Sequence, residues 1–142
     1  MAEWLAARGH DVRVVTAPPY YPDWRVGSGY TGWQYRRERL TGVDVWRCPV
    51  WVPRKPSGLK RILHLASFAL SSAPIMLRQI FWRPQVVLVI EPPLMCAPAA
   101  WLTARLSGAR AWLHIQDFEV DAAFELGILR AAWLKGWVLM IE

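Results

Sequence analysis

The hydrophobic and polar positions change period several times along the chain, and each change marks an element. The opening MAEWLAARGH reads as the tail of a helix with Gly9 at its C-cap. Asp11 to Thr16 is a short run rich in β-branched residues, which predicts a strand. Ala17-Pro-Pro-Tyr-Tyr-Pro22 cannot extend it, because proline removes ladder donors. Residues 23–39, rich in Gly, Trp, Tyr and Arg, show no period and read as a loop. Val43 to Cys48 predicts a second strand, closed by Pro49 and followed by a Pro-rich loop through Pro56. Leu59, Ile62, Leu63, Ala66, Leu70, Ala73, Leu77 and Ile80 then fall at three- and four-residue steps, the period of an amphipathic helix. Lys60, His64, Ser67, Ser71 and Arg78 share its opposite face, and Pro84 ends it.

Val86 to Ile90 is a continuous apolar run, the pattern of a strand buried on both faces of a parallel sheet. A helix is predicted over Ala97 to Ser107 with Gly108 at its C-cap, then a strand over Ala111 to Ile115. Ile128 to Glu142 is apolar and helical in period. Strands alternating with helices predict an α/β fold built on a parallel sheet. The first element is a helix with no strand before it, and the last helix has no cap. Both features predict an incomplete Rossmann-like sheet, truncated at both ends. There is no internal repeat or low-complexity tract.

Composition narrows the function classes. The 142 residues suffice for one domain with a core and not for two, and 54% hydrophobic with 20% charged residues excludes a disordered chain. Ten tryptophans suit a core, a sugar platform or a membrane interface equally. The net charge of +6 is carried by residues 1–61, with 11 Lys/Arg against 5 Asp/Glu, while residues 62–142 balance at 6 each. The excess is densest at Arg36, Arg37, Arg39 and at Arg54, Lys55, Lys60, Arg61. Such a patch faces either solvent or an anionic partner. Cys48 and Cys96 stand alone and read as buried thiols in a reducing cytoplasm, not as a bridge or a metal site. The opening residues lack the basic head and apolar run of a secretory leader. Ile62 to Leu77 is short for a membrane span and interrupted by His64, three serines and Pro74.

In an open parallel sheet, ligands bind beyond the carboxyl ends of the strands. Three segments occupy such ends: Pro18 to Pro22, Glu91 to Pro93, and His114 to Glu119. His114 and Gln116 are two apart in a strand and so share a face, with Asp117 at the strand's exit. They either contact a sugar or leaving phosphate, or form a core histidine and a helix cap. Tyr20 and Tyr21 either stack on a sugar ring or pack a rigid loop. Glu91 ends an apolar run, where a carboxylate needs either a cleft or a basic partner. Arg36 and Arg37 either clamp phosphate or decorate a solvated loop. Dinucleotide, Walker, zinc and nucleophile-elbow motifs are all absent, and charge with aromatics alone makes no nucleic-acid module.

Three long strings carry a resemblance: EWLAARGHDVRVVTAPPYYPDWRV, VWRCPVWVPRKPSGLKRILHLASFALSS and LSGARAWLHIQDFEVDAAFELGI. They are similar to the family-4 glycosyltransferases of exopolysaccharide synthesis, over nearly the whole chain. The resemblance implies a GT-B enzyme, in which two Rossmann-like domains transfer a sugar from a nucleotide donor with retention and without a metal or organic cofactor. Residues 1–142 would form part of the N-terminal, acceptor-side domain, with the first strand and its Gly-containing loop preceding Met1 and the donor domain following Glu142. The implied acceptor is a lipid-linked saccharide at the cytoplasmic face of the plasma membrane. The basic loops and the amphipathic helix would then meet anionic lipid. Many members carry a His-Asp pair where this chain has Gln116-Asp117. Asp117 matches the acid, and either His114 or Gln116 takes the histidine's part, giving Asp117, His114 and Gln116 as catalytic candidates. Tyr20, Tyr21, Glu91, Arg36 and Arg37 are the acceptor-binding candidates, with no metal ligand. A second reading is a non-catalytic α/β module that docks on a membrane or a partner.

Overall fold

The structure is a computed structural model and describes residues 1–90 and 94–114. The elements run α1 (Ala2–Ala6), β1 (Arg13–Thr16), β2 (Arg36–Leu40), β3 (Val43–Arg47), α2 (Gly58–Arg78), β4 (Val86–Ile90), α3 (Ala97–Ser107) and β5 (Arg110–His114), with 3₁₀ turns at Gln79–Trp82 and Leu94–Cys96. The fold is mixed α/β, and its parallel pairs are β1 with β3 and β4 with β5. The helix expected over residues 128–142 lies outside the described residues.

Two features differ from the sequence reading. Residues 23–39 are not all loop, because Arg36–Leu40 forms β2, antiparallel to β3. Its sequence, RRERL, has no β-branched residue, so propensity gives no signal. The strand is held instead by its partner. Leu40 pairs with Val43 across a two-residue turn in which Thr41 and Gly42 both have positive φ, 49° and 83°. That is the requirement of a type I′ hairpin, and it is strained for threonine. The second difference is that the strands form two sheets, ordered β1-β3-β2 and β4-β5, where one parallel sheet was expected.

The long helix α2 joins the two. Its outward and inward faces follow the needs of the loop beneath it. Cys48 to Pro53 contains Pro49 and Pro53, which have carbonyls to satisfy and no N–H to offer. The polar stripe of α2 supplies the partners. Ser71 Oγ donates to the Pro49 carbonyl, Ser67 Oγ accepts the Trp51 N–H at 2.9 Å, and His64 Nδ1 lies 2.6 Å from the Trp51 carbonyl oxygen. His64 is therefore buried at 3% exposure, while Leu59, Leu63 and Leu70 of the apolar stripe are 69, 51 and 78% exposed.

One small core, of Val43, Val45, Cys48 and Val50, lies at β3 and the segment that follows it. Another joins Val87 to Ala100 and Ala104 of α3, with Met76 of α2 alongside. Helix α3 closes as predicted, on Gly108 in the left-handed region at φ 74°. Strand β4 is not buried on both faces. Val87 packs on α3, whereas Val86, Leu88 and Ile90 are exposed among the described residues.

Candidate functional site

The carboxyl ends of β1 and β3 lie side by side, since the strands are parallel with Thr16 opposite Arg47. The segment between β1 and β2 folds back over these ends. Gly27 N–H bonds the Pro19 carbonyl at 2.8 Å, and Val50 N–H bonds the Gly32 carbonyl at 2.9 Å. Gly32 suits the close approach, because a Cβ there would crowd the Val50 oxygen at 3.0 Å. The result is a small polar recess of Pro18, Tyr30, Thr31, Gln34, Arg36 and Arg47.

Glu38 organises the charges of this recess. Its carboxylate accepts from Arg47 Nε at 2.8 Å and from the Tyr30 hydroxyl at 3.3 Å, with Arg36 Nε at 3.5 Å. The hydrogen bond and charge of Arg47 hold the Glu38 carboxyl below its ordinary range, against the opposing effect of burial. Arg47 also donates to the Ala17 carbonyl at 3.0 Å, which ties β3 to the exit of β1. Arg36 bonds the Gly29 carbonyl at 2.8 Å and stacks over Tyr30. Its guanidinium edge lines the recess.

Tyr20, Trp24 and His64 form an aromatic cluster. The Tyr20 ring meets His64 edge-on at 4.7 Å between centroids, and Trp24 lies 5.3 Å from His64. The Arg61 guanidinium sits 5.9 Å above the Trp24 ring. Tyr21 points outward at 79% exposure, joined to Pro22 by a cis peptide bond.

The expected site residues are thus partly gathered and partly separated. Tyr20 takes part in packing, whereas Tyr21 offers a free ring face to solvent. Arg36 and Arg37 are not on a loop but on β2, and successive residues of a strand face opposite ways. Arg36 turns to Tyr30 and the recess, while Arg37 pairs with Asp44 at 2.9 Å and lies over Trp46 on the α2 side. One phosphate cannot be clamped by both. His114 ends β5 opposite Ile90, exposed and without a side-chain hydrogen bond among the described residues. Glu91, Gln116 and Asp117 lie outside the described residues. Sequence reasoning missed Glu38, Tyr30 and Trp24, whose only advance signal was an aromatic, arginine-rich segment with no period, and Arg47, which lay inside a predicted strand.

Among the described residues no group of His, Cys, Asp or Glu could hold a metal ion, and no helix is long and apolar enough to cross a membrane. Cys48 is fully buried and Cys96 partly so. Burial pushes the Cys48 thiol up to about 12, with Cys96 nearby raising it further, and burial raises Cys96 as well.

A polar, aromatic-edged recess over parallel strand ends is the arrangement of a ligand-binding α/β domain. The chain belongs to the glycosyl transferase 4-like domain family, whose profile matches residues 1–142. Among curated proteins it is 56% identical over 128 residues to WcaI of Escherichia coli (strain K12), whose name assigns it to colanic acid biosynthesis as a glycosyl transferase. The matched region is 90% of this chain and 31% of that relative, so the chain spans about a third of its length. No solved structure gives a significant match.

Proposed function

We propose that the polypeptide carrying this chain is a retaining glycosyltransferase of the GT-B type. It would move a sugar from a nucleotide donor to a lipid-linked saccharide in exopolysaccharide synthesis of the colanic acid kind. Residues 1–142 form part of its acceptor-side domain, and a separate domain binds the donor. The observation that carries this reading is the recess at the ends of β1 and β3, where Gln34, Thr31 and Arg36 present hydrogen-bonding groups beside the Tyr30 ring. Hydroxyl-rich ligands need that mixture of polar edges and flat apolar faces. In this reading Tyr21 and Tyr20 border the sugar, Arg36 contacts an anionic group of the acceptor, and Glu91 faces the cleft.

The catalytic candidates remain Asp117, His114 and Gln116. A carboxylate at Asp117 would orient the acceptor or stabilise positive charge developing on the transferred sugar. His114 or Gln116 would bond a sugar hydroxyl. No metal and no organic cofactor has a part in the proposed reaction.

Membrane contact is assigned to α2. Its outward stripe of Leu59, Leu63 and Leu70 is flanked at the N-terminal end by exposed Arg54, Lys55 and Lys60. An apolar face with basic neighbours lies in the plane of an anionic lipid surface. The protein is then peripheral, at the inner face of the plasma membrane, where lipid-linked acceptors reside.

The test uses the full-length parent with a panel of nucleotide sugars and a membrane extract containing lipid-linked saccharides. The expected product is a lipid-linked saccharide longer by one sugar, its new linkage keeping the donor's anomeric configuration by NMR. Inverted configuration would remove the retaining mechanism. Absence of transfer with every donor, from folded parent, would favour the docking module.

A further inference from the structure

Strand pairing in the first sheet sets two arginines directly across from each other. Arg36 of β2 pairs with Arg47 of β3, so both side chains rise on one face of the sheet. Like charges in opposed positions are unfavourable, and one acid cannot cancel both. Glu38, two residues along β2 on the same face, lies 2.8 Å from Arg47 Nε and 3.5 Å from Arg36 Nε. Two guanidiniums and one carboxylate leave a net charge of +1. Such a local conflict, kept by a fold, points to a function.

The hydrogen bonds of the recess are equally one-sided. Both oxygens of Glu38 are engaged, Oε1 by Arg47 and Tyr30, Oε2 by Tyr30 and Arg36. Glu38 does not line the recess, whereas Arg36 and Arg47 do. Arg47 commits Nη1 to the Ala17 carbonyl, and Arg36 commits Nη1 to the Gly29 carbonyl. The Nη2 group of each has no acceptor among the described residues. Gln34 Oε1 accepts from the Thr31 hydroxyl at 3.4 Å, which leaves the amide N–H groups free to donate. A ligand entering here meets surplus donors and positive charge, with Glu38 already saturated behind them. Such a wall fits a group that accepts hydrogen bonds and carries one negative charge.

We propose that the recess is a carboxylate subsite: the acceptor carries an acidic sugar unit, whose carboxylate is held by the Nη2 groups of Arg36 and Arg47 and by the Gln34 amide. This rests on the reading of the chain as the acceptor-side part of a glycosyltransferase, and it names the unit of the acceptor recognised there. Phosphate is the competing anion, and charge decides between the two. A carboxylate brings one negative charge against the +1 of the three groups, whereas a phosphate monoester brings about −1.5 to −2. Arg47, tied to Glu38 and to the Ala17 carbonyl, holds its remaining donors in a fixed plane, which suits a planar two-oxygen group. Glu38 and Arg47 are 12 and 17% exposed and act as the positioning pair, while Arg36, at 52%, is the residue a ligand reaches first. Arg36 is then the residue that determines specificity for the acidic unit.

The test measures binding to the full-length parent, without donor and without turnover, by saturation-transfer NMR of the ligands. The probes are methyl β-glucuronide, its uncharged amide and methyl β-glucoside, with inorganic phosphate as a competitor. The glucuronide is expected to bind at least about tenfold more tightly than the amide or the glucoside, the gain expected of charge-assisted bonds to arginine. Phosphate should displace it only at concentrations above the glucuronide's own dissociation constant. Arg36→Gln, at an exposed position, should bring the three sugars within about twofold of one another and leave the thermal midpoint within a few degrees. Arg36→Lys keeps the charge, loses the planar fork and should fall between.

Equal affinity for the glucuronide and its amide would overturn the proposal without any variant. Displacement by phosphate below the glucuronide's dissociation constant would make the recess a phosphate site and overturn it too. Selectivity that survives Arg36→Gln would put the carboxylate elsewhere, with the same result. The two readings fail separately. A parent that selects the glucuronide and transfers no sugar keeps the subsite and loses the transferase reading. One that transfers sugar yet binds glucuronide and glucoside alike does the reverse.

Discussion

His64 Nδ1 lies 2.6 Å from the carbonyl oxygen of Trp51, and this contact sets which face of α2 meets the protein. The bond fixes the imidazole with its proton on Nδ1, while Tyr20 and Trp24 pack the ring. His64→Phe keeps an aromatic ring in the cluster and leaves the Trp51 carbonyl without its donor. The expected loss is about 1–3 kcal/mol, seen as a lower urea midpoint at unchanged m-value. A Phe variant as stable as the parent chain would show that ring packing alone holds the loop.

The Glu38–Arg47 pair gives a pH signature. Arg47 holds the Glu38 carboxyl below its ordinary range, so the unfolded state takes up the proton first as the pH falls. The stability from this pair is fully present above the ordinary glutamate value of about 4.3 and is lost as the pH falls through the depressed one. Glu38→Gln should flatten the acid limb of the stability curve and leave its alkaline limb unchanged. An unchanged acid limb would show that Glu38 is not linked to folding.

The thiols report from the alkaline side. With Cys48 pushed up to about 12 and Cys96 raised, folded protein keeps both protonated where an unfolded chain begins to ionise. Stability from this source is complete below the ordinary thiol value of about 8.5 and declines as the pH rises above it. A thiol reagent at pH 8 should label neither residue quickly in folded protein and both in denaturant. Fast labelling of native Cys48 would contradict its burial.

Membrane binding should follow the outward stripe of α2. Leu63→Glu and Leu70→Glu are expected to lower affinity for anionic vesicles by about tenfold or more while leaving the thermal midpoint within a few degrees, because both positions are exposed. Raised salt should weaken binding of the unmodified chain, since its net charge of +6 resides in residues 1–61. Equal binding to neutral vesicles at every salt concentration would remove the electrostatic part.

For catalysis, the 142-residue chain alone is expected to transfer no sugar, because orienting donor and acceptor takes both walls of a cleft. In the full-length parent, Asp117→Asn should cost at least about tenfold in turnover, or roughly 1.4 kcal/mol of transition-state stabilisation. His114→Ala should cost more than Gln116→Ala if the histidine bonds the transferred sugar, and the reverse order would give that contact to Gln116. A variant at Asp117 that loses thermal stability but keeps its turnover would make that residue a helix cap.

Periodicity by itself determined where most backbone elements begin and end. The period-2 and apolar runs at Arg13–Thr16, Val43–Arg47 and Val86–Ile90 are strands, and the three- and four-residue spacing over Gly58–Arg78 is a helix. Local sterics suffice for that, as at Gly108, whose left-handed backbone ends α3 at no cost in Cβ crowding. Strand β2 was invisible because its four charged residues and its Thr41-Gly42 turn gain stability from β3, a partner no local window contains. The faces of α2 were a tertiary decision too. The Pro49 and Trp51 carbonyls of the neighbouring loop need donors, and Ser71 and His64 provide them, so these side chains turn inward and Leu59, Leu63 and Leu70 outward. The site divides along the same line. The sequence named Tyr20, Tyr21 and His114 as residues near strand ends, where parallel sheets bind ligands, and Arg36 and Arg37 as residues of one loop. Which of them share a wall depended on strand alternation and pairing: Arg36 turns to the recess and Arg37 away from it, a separation that one residue of register sets and composition cannot express.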